Sequence, residues 1–304
     1  MADKTGIEWT DASWNPVVGC SIVSPGCTNC YAMKQAYRIE KMAAGAGKDT
    51  HYAGTTQQSK AGAVWTGKVN LAPDRIITQP LRWERPRKIF VNSMSDLFHE
   101  DVPDEWIDRI FAIMAMCPQH AFQILTKRAD RMRDYMEKYT ISKSEIYGEE
   151  YRSRSQMVAE TIIEYTSNGA ETLKWDAPHE TADLEFWPLP NVWLGVSIED
   201  QKRADERIQD LIDTPAAVRF LSIEPLIGPV HIKEIKQLDW IICGGESGPG
   251  SRPMHPDWAR SIRDQCLAAN VPFLFKQWGT TNKKAAGRML DGRQWDQYPE
   301  RTAS

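Results

Sequence analysis

The chain has 304 residues, a formal net charge of −4, and 41% hydrophobic against 26% charged residues. This is the composition of an ordinary globular protein, and its mild negative charge excludes a generic nucleic-acid coat. No run approaches the ~18 apolar residues of a membrane span, and Met1-Ala2-Asp3-Lys4 lacks an export pattern, so a cytoplasmic protein without a membrane partner is expected.

Compact apolar runs predict strands at Trp14–Val18, Lys88–Ser93, Ala121–Thr126, Asn191–Ser197, Val218–Ile223, Trp240–Gly244 and Pro272–Lys276. Helical spacing predicts Asp104–Cys117, Asp200–Asp213 and Pro256–Ala269, the last opened by Pro-Asp and stopped by Asn270 and Pro272. Two segments interrupt the alternation. Ala43–Gly67, rich in Gly, Ala, Thr, Gln and Lys, reads as a long loop or lid, and Tyr135–Pro190 reads as an insertion with a weak helix at Met157–Tyr165. About seven βα units predict one domain over residues 1–304, of α/β class. The fold expected is a (β/α) TIM-type barrel, partial or nearly closed, with an inserted segment.

In such folds ligands gather at the carboxyl ends of strands. Here every predicted exit is polar. A cysteine loop follows the first strand, then Asn92-Ser-Met-Ser-Asp96, Thr126-Lys-Arg128, Ser197-Ile-Glu199, Ser222-Ile-Glu224-Pro225, Gly244-Gly-Glu-Ser-Gly248 and Lys276-Gln-Trp278-Gly279. A binding mouth is expected there.

Three of the six cysteines, Cys20, Cys27 and Cys30, fall within eleven residues, whereas Cys117, Cys243 and Cys266 are scattered through apolar surroundings as buried hydrophobes. A disulfide framework belongs to short secreted chains, so the cluster reads as a reduced metal site. Thiolates suit zinc or iron–sulfur, but structural zinc needs a fourth ligand and none lies near. A cluster with one open iron is the first reading. Zinc with a distant fourth ligand is the alternative.

A three-cysteine loop after the first strand of a (β/α) barrel resembles the radical S-adenosylmethionine superfamily. Trp9-Thr10-Asp-Ala-Ser-Trp14-Asn15-Pro16, the cysteine loop and Tyr31-Ala32 are more closely similar to a phage-associated three-Cys-motif family of undefined activity. So are Asn92–Phe98, Leu125–Arg128, Gly195–Glu199, Ser222–Pro225 and Gly244–Ser247. A distant likeness to the spore photoproduct lyases, which repair DNA photolesions, is also present.

The resemblance implies a 4Fe-4S cluster on Cys20, Cys27 and Cys30, with S-adenosylmethionine chelating the fourth iron. Reductive cleavage then gives a 5′-deoxyadenosyl radical, with an electron donor such as flavodoxin or ferredoxin. It implies Asn92, Ser95 and Asp96 near the cofactor amine, Lys127 near its carboxylate, Ser197, Glu199 and Glu224 near the ribose, and Tyr31 packed on the cofactor. Glu246, Lys276 and Trp278, late in the barrel, are the candidates facing substrate. Three departures stand out: the first cysteine gap is six residues rather than three, Asn29 holds the usual aromatic position before the third cysteine, and Gly244-Gly245-Glu246 follows the sixth strand, not the second.

A nucleic acid or nucleotide-derived substrate, for base modification or photolesion repair, is expected from the phage association. Between Lys68 and Lys88, six basic residues stand against two acidic ones, with Trp65 and Trp83 as stacking candidates. Trp175–Asp213 is correspondingly acidic. The rival reading is a non-catalytic, zinc-stabilised DNA-associated binding protein.

Overall fold

Seven parallel strands carry the core. The computed structural model describes residues 5–60, 62–137, 140–144, 148–167, 187–281 and 287–300. The strands are β1 (Ala12–Trp14), β2 (Lys88–Val91), β3 (Ala121–Thr126), β4 (Val192–Ile198), β5 (Val218–Ile223), β6 (Trp240–Gly244) and β7 (Phe273–Gln277). They pair in chain order and always in parallel, with registers such as Ala12↔Ile89, Val196↔Thr126 and Ser197↔Ser222. Curling turns this sheet into a half-barrel.

The helices are α1 (Tyr31–Gly45), α2 (Asp74–Ile77), α3 (Asp104–Ala115), α4 (Ala129–Glu137), α5 (Arg154–Ser167), α6 (Gln201–Asp213) and α7 (Pro256–Ala269). Local chemistry sets their ends. The Asp200 carboxylate accepts from the Arg203 amide at 2.9 Å to start α6. Pro256 occupies the first turn of α7, and Asn270, in the left-handed region at φ 56°, ends it.

Strand alternation sorts the sheet into two faces. Val192, Leu194, Val196 and Ile198 of β4 enter the large core beneath the helices, together with Ile107, Phe111 and Ile262. Trp193, Val218, Phe220, Trp240, Ile242 and Leu274 fill the concave face with Trp9 and Phe90. Gly195 is dictated here: a Cβ at that position would lie 2.5 Å from the Phe220 ring.

Among the described residues β1 and β7 do not pair, so the sheet stays open. The free edge of β7 is covered instead by the chain near the C-terminus. The Phe275 amide donates to the Trp295 carbonyl, the Gln297 amide donates to the Phe273 carbonyl, and the Tyr298 hydroxyl reaches the Glu8 carbonyl.

Within the expected loop or lid, 43–67, α1 continues to Gly45 and a hairpin pairs Thr56–Ser59 with Gly62–Trp65. The hairpin packs on α1 because Tyr52 and Trp65 bury against Met33 and Ala36, a long-range contact that polar composition does not reveal. The expected insertion holds a second hairpin, Thr140–Ser144 with Gly148–Arg152, and then α5. Arg154 fastens α5 to α3 by donating to Asp108 at 3.1 and 3.2 Å and to Asp104 at 2.6 Å. The acidic stretch 175–186 lies outside the described residues. No helix among the described residues is long and apolar enough to cross a membrane.

Candidate functional site

The inward side chains change character along each strand. In β4 they run Trp193, Gly195, Ser197, with Glu199 just past the end; in β5, Val218, Phe220, Ser222, then Glu224. β6 runs Trp240, Ile242 and, beyond a register shift at Cys243/Gly244, Glu246; β7 offers Leu274 and then Lys276. Amino ends therefore build an aromatic floor, and carboxyl ends build a polar rim. Between floor and rim lies a cavity of about 250 Å³.

The cysteine loop lies over this cavity, and Cys20, Cys27 and Cys30 all line it. Cys27 ends a short 3-10 turn (Pro25–Cys27), and Cys30 caps α1. Cys30 stands at the amino end of α1, where the positive end of the helix favours an anion. Arg128 points Nη1 at the Cys20 sulfur, 3.9 Å away.

Three grips hold the loop. The Ser95 hydroxyl donates to the Gly19 carbonyl at 2.6 Å. The fully buried Glu199 accepts from the Gly26 amide at 3.0 Å and from Lys127 and Arg207 at 3.5 and 3.3 Å. On the opposite side, Glu246 accepts from Asn29 at 3.0 Å and from the Arg252 amide and Nε at 2.8 and 3.0 Å, while Arg252 also donates to the Pro25 carbonyl at 2.9 Å. The loop after β1 is thereby tied to the loop after β6 across the mouth.

Several of the expected site residues have partners within the chain. Asp96 accepts from Thr126 and the Phe98 amide on one oxygen and from the Lys127 amide and Arg128 on the other, at 2.6 to 3.1 Å. Both oxygens are already supplied with donors, so Asp96 organises the rim. Glu199 is likewise occupied by the cysteine loop, and Glu246 by its latch. Ser95 is tied to Gly19, whereas Tyr31 stands 55% exposed at the mouth, its hydroxyl donating to the Ser93 carbonyl.

Tyr31, Asn92, Ser95, Asp96, Lys127, Ser197, Glu224, Glu246 and Lys276 all line the cavity, whereas Glu199 lies behind its wall. Lys127 donates to Ser197 at 2.7 Å, and Lys276 bridges both Glu224 oxygens at 2.7 and 2.8 Å. Asn92 sits at φ 59°; its Oδ1 accepts from the Val17 amide, and its buried Nδ2 has no partner.

Trp278 does not reach the cavity. Strand alternation lapses after Gln277, and the indole turns to the helix side, 4.9 Å from the Phe275 ring, donating to the Met289 carbonyl.

The basic stretch separates too. Arg85 and Arg87 lead into the amino end of β2, opposite the mouth, and Trp83 is buried there beside His120 with Arg87 over its ring at 5.0 Å. Only Trp65 of the two stacking candidates lines the cavity.

Three contributors escaped the sequence reading of roles. Arg128 was visible only as the neighbour of Lys127. Arg252 carries no signal, because its partner sits six positions back across a Gly-Pro-Gly turn. The Trp9 indole, whose Nε1 is buried without a partner, lines the cavity from a segment preceding β1.

Three thiols are soft donors, of the kind thiophilic metals take. Burial pushes the Cys20 thiol up to about 12, followed in size by repulsion from Asp96, and burial also raises Cys30. Such thiols are neutral as they stand and would ionise on meeting a metal's positive charge. Among the described residues the cysteines share one cavity without converging, with each other or with His, Asp or Glu, on a centre for a single ion.

The arrangement defines a class: a parallel α/β half-barrel with a loop of three thiols over a cavity at its strand exits. The chain belongs to a family of proteins of unknown function (DUF5131), whose model matches residues 4–299. No curated protein and no solved structure matches it.

Proposed function

We propose that the protein is a radical S-adenosylmethionine enzyme with a 4Fe-4S cluster on Cys20, Cys27 and Cys30, acting on a nucleic acid or a nucleotide-derived substrate. The observation that carries this reading is the mounting of three thiols over a cavity with an aromatic floor and a polar rim, on a loop clamped from three sides. When bound, the cluster and S-adenosylmethionine supply a one-electron reductive cleavage and a carbon radical that abstracts hydrogen. An electron donor such as flavodoxin or ferredoxin is implied.

The chain's own part is to fix, orient and shelter. Ser95, Glu199 and the Glu246–Arg252 latch hold the loop that carries the thiols. Asn92 Nδ2 and Trp9 Nε1 are free donors for ligand oxygens or ring nitrogens, and Lys127 and Ser197 add polar contacts on the facing wall. The Glu224–Lys276 pair completes the rim. Trp9, Phe90 and Leu125 give an apolar floor against which a flat ring packs and from which water is excluded.

Anaerobic reconstitution with iron and sulfide is the test. The expected result is a brown protein with four irons per chain that cleaves S-adenosylmethionine when reduced and loses iron in air. One tightly held zinc per colourless chain would overturn the reading in favour of a zinc-stabilised binding protein.

A further inference from the structure

The head of α1 stands at the cavity mouth, and its two faces differ sharply. Ala32, Met33 and Ala36 bury against Val18, Tyr52 and Trp65. The opposite face carries Tyr31, Lys34, Arg38 and Lys41, all exposed. At 3.6 residues per turn Lys34, Arg38 and Lys41 form one row, running from Tyr31 over about 15 Å of helix. None of the three pairs with a carboxylate among the described residues; Lys41 lies over the Tyr37 ring at 5.3 Å. The acid of this helix, Glu40, turns away to the Gly54 amide and the Thr56 hydroxyl of the neighbouring hairpin segment.

Many guanidinium groups elsewhere are neutralised: Arg128 on Asp96 and Glu100, Arg154 on Asp104 and Asp108, Arg252 on Glu246. The α1 row is an unbalanced line of positive charge, and it leads to an aromatic residue beside the cavity.

We infer that the outer face of α1 is the track on which a single-stranded polynucleotide lies, its phosphates on Lys34, Arg38 and Lys41 and its leading base passing Tyr31 toward the cavity. A row of free cations fits a polyanion. The exposed Tyr31 ring offers a face for base stacking, and the cavity it borders carries two further aromatic rings, Trp65 and Trp9. This assignment deepens the proposed function and rests on its nucleic-acid half, not on the cluster. It also moves the expected phosphate contacts from Lys68–Lys88 to α1.

The experiment is fluorescence anisotropy of the full-length protein with a labelled 12-nucleotide single-stranded DNA, from 50 to 300 mM salt. The Lys34→Glu/Arg38→Glu/Lys41→Glu variant is compared with Arg82→Glu/Arg85→Glu/Arg87→Glu, which makes the same charge change at the far end. The α1 variant should lose at least tenfold in affinity. Its log–log salt slope should fall by about 2, at ~0.7 per phosphate contact over three contacts. The far-end variant should stay within threefold of the native protein. A Lys34→Gln/Arg38→Gln/Lys41→Gln variant, with thermal unfolding recorded, guards against misfolding.

Native-like binding by the α1 variants, equal losses in both charge reversals, or no binding by the native protein would each overturn the assignment. Competition by polyglutamate as effective as by unlabelled DNA would reassign the face to an acidic protein. Binding is read on protein with or without iron, so a failed cluster reading leaves this result standing, and the converse holds.

Discussion

Replacing Glu199 by Gln keeps the shape of the side chain and removes its charge. Glu199 is fully buried and anchors the Gly26 amide, Lys127 and Arg207 at 3.0, 3.5 and 3.3 Å. Its carboxyl has a lowered pKa. Burial, the largest influence, acts upward, but Lys127, a Ser24 hydrogen bond, the Gly26 amide and Arg207 together outweigh it. The amide of Gln still accepts from Gly26, yet Lys127 and Arg207 lose their counter-charge in a buried setting. Breaking such a group costs about 3 kcal/mol. For a chain of 304 residues that is a fall of about 5 °C in melting temperature.

The effect depends on pH with a definite sign. A carboxyl whose folded pKa is depressed stabilises the fold above its unfolded value, near 4.5. That contribution disappears as pH falls through the lower folded value. The gap between native protein and Glu199→Gln should therefore be constant from pH 6 to 8 and close below about pH 4.5. Melting curves at several pH values, with metal release to a chelator at pH 7.5, measure both consequences. A variant melting within 1 °C of the native protein at pH 7 and, after reconstitution, releasing iron no faster would refute the role of Glu199 as loop anchor.

Single Ala substitutions at Cys20, Cys27 or Cys30 should each abolish metal retention, whereas Cys117→Ala, Cys243→Ala and Cys266→Ala, all at buried positions, should keep it; metal analysis of the purified variants decides. Gly195→Ala should destabilise by about 1–3 kcal/mol through collision with the Phe220 ring, and Phe220→Leu in the same chain should recover most of the loss by calorimetry. Arg252→Ala releases Pro25 from the far side of the mouth and leaves the buried Glu246 without its counter-charge, so the melting temperature should fall by a few degrees and reconstituted iron should leave to a chelator several-fold faster.

Much of the fold is legible locally. Strands β3, β5 and β6 and helix α7 coincide with their expected bounds, because apolar runs and the Pro and Asn stop signals act over a few residues. The cysteine spacing likewise marks the loop that lines the cavity, and the period of two in each strand carries polar residues to the rim.

What the sequence did not decide was which of those polar groups are free. Glu199 meets Gly26 across 173 residues, and Asn29 meets Glu246 across 217. No local pattern encodes such pairs; they exist because curling brings the ends of β4 and β6 around to the loop after β1. Tertiary structure alone also left the sheet open, turned Trp278 outward, set Arg85 and Arg87 at the far end, and stood the cations of α1 beside the mouth. The physical reason is shared: periodicity fixes which face of an element is buried, whereas the partner of a charged side chain is fixed by where distant elements pack.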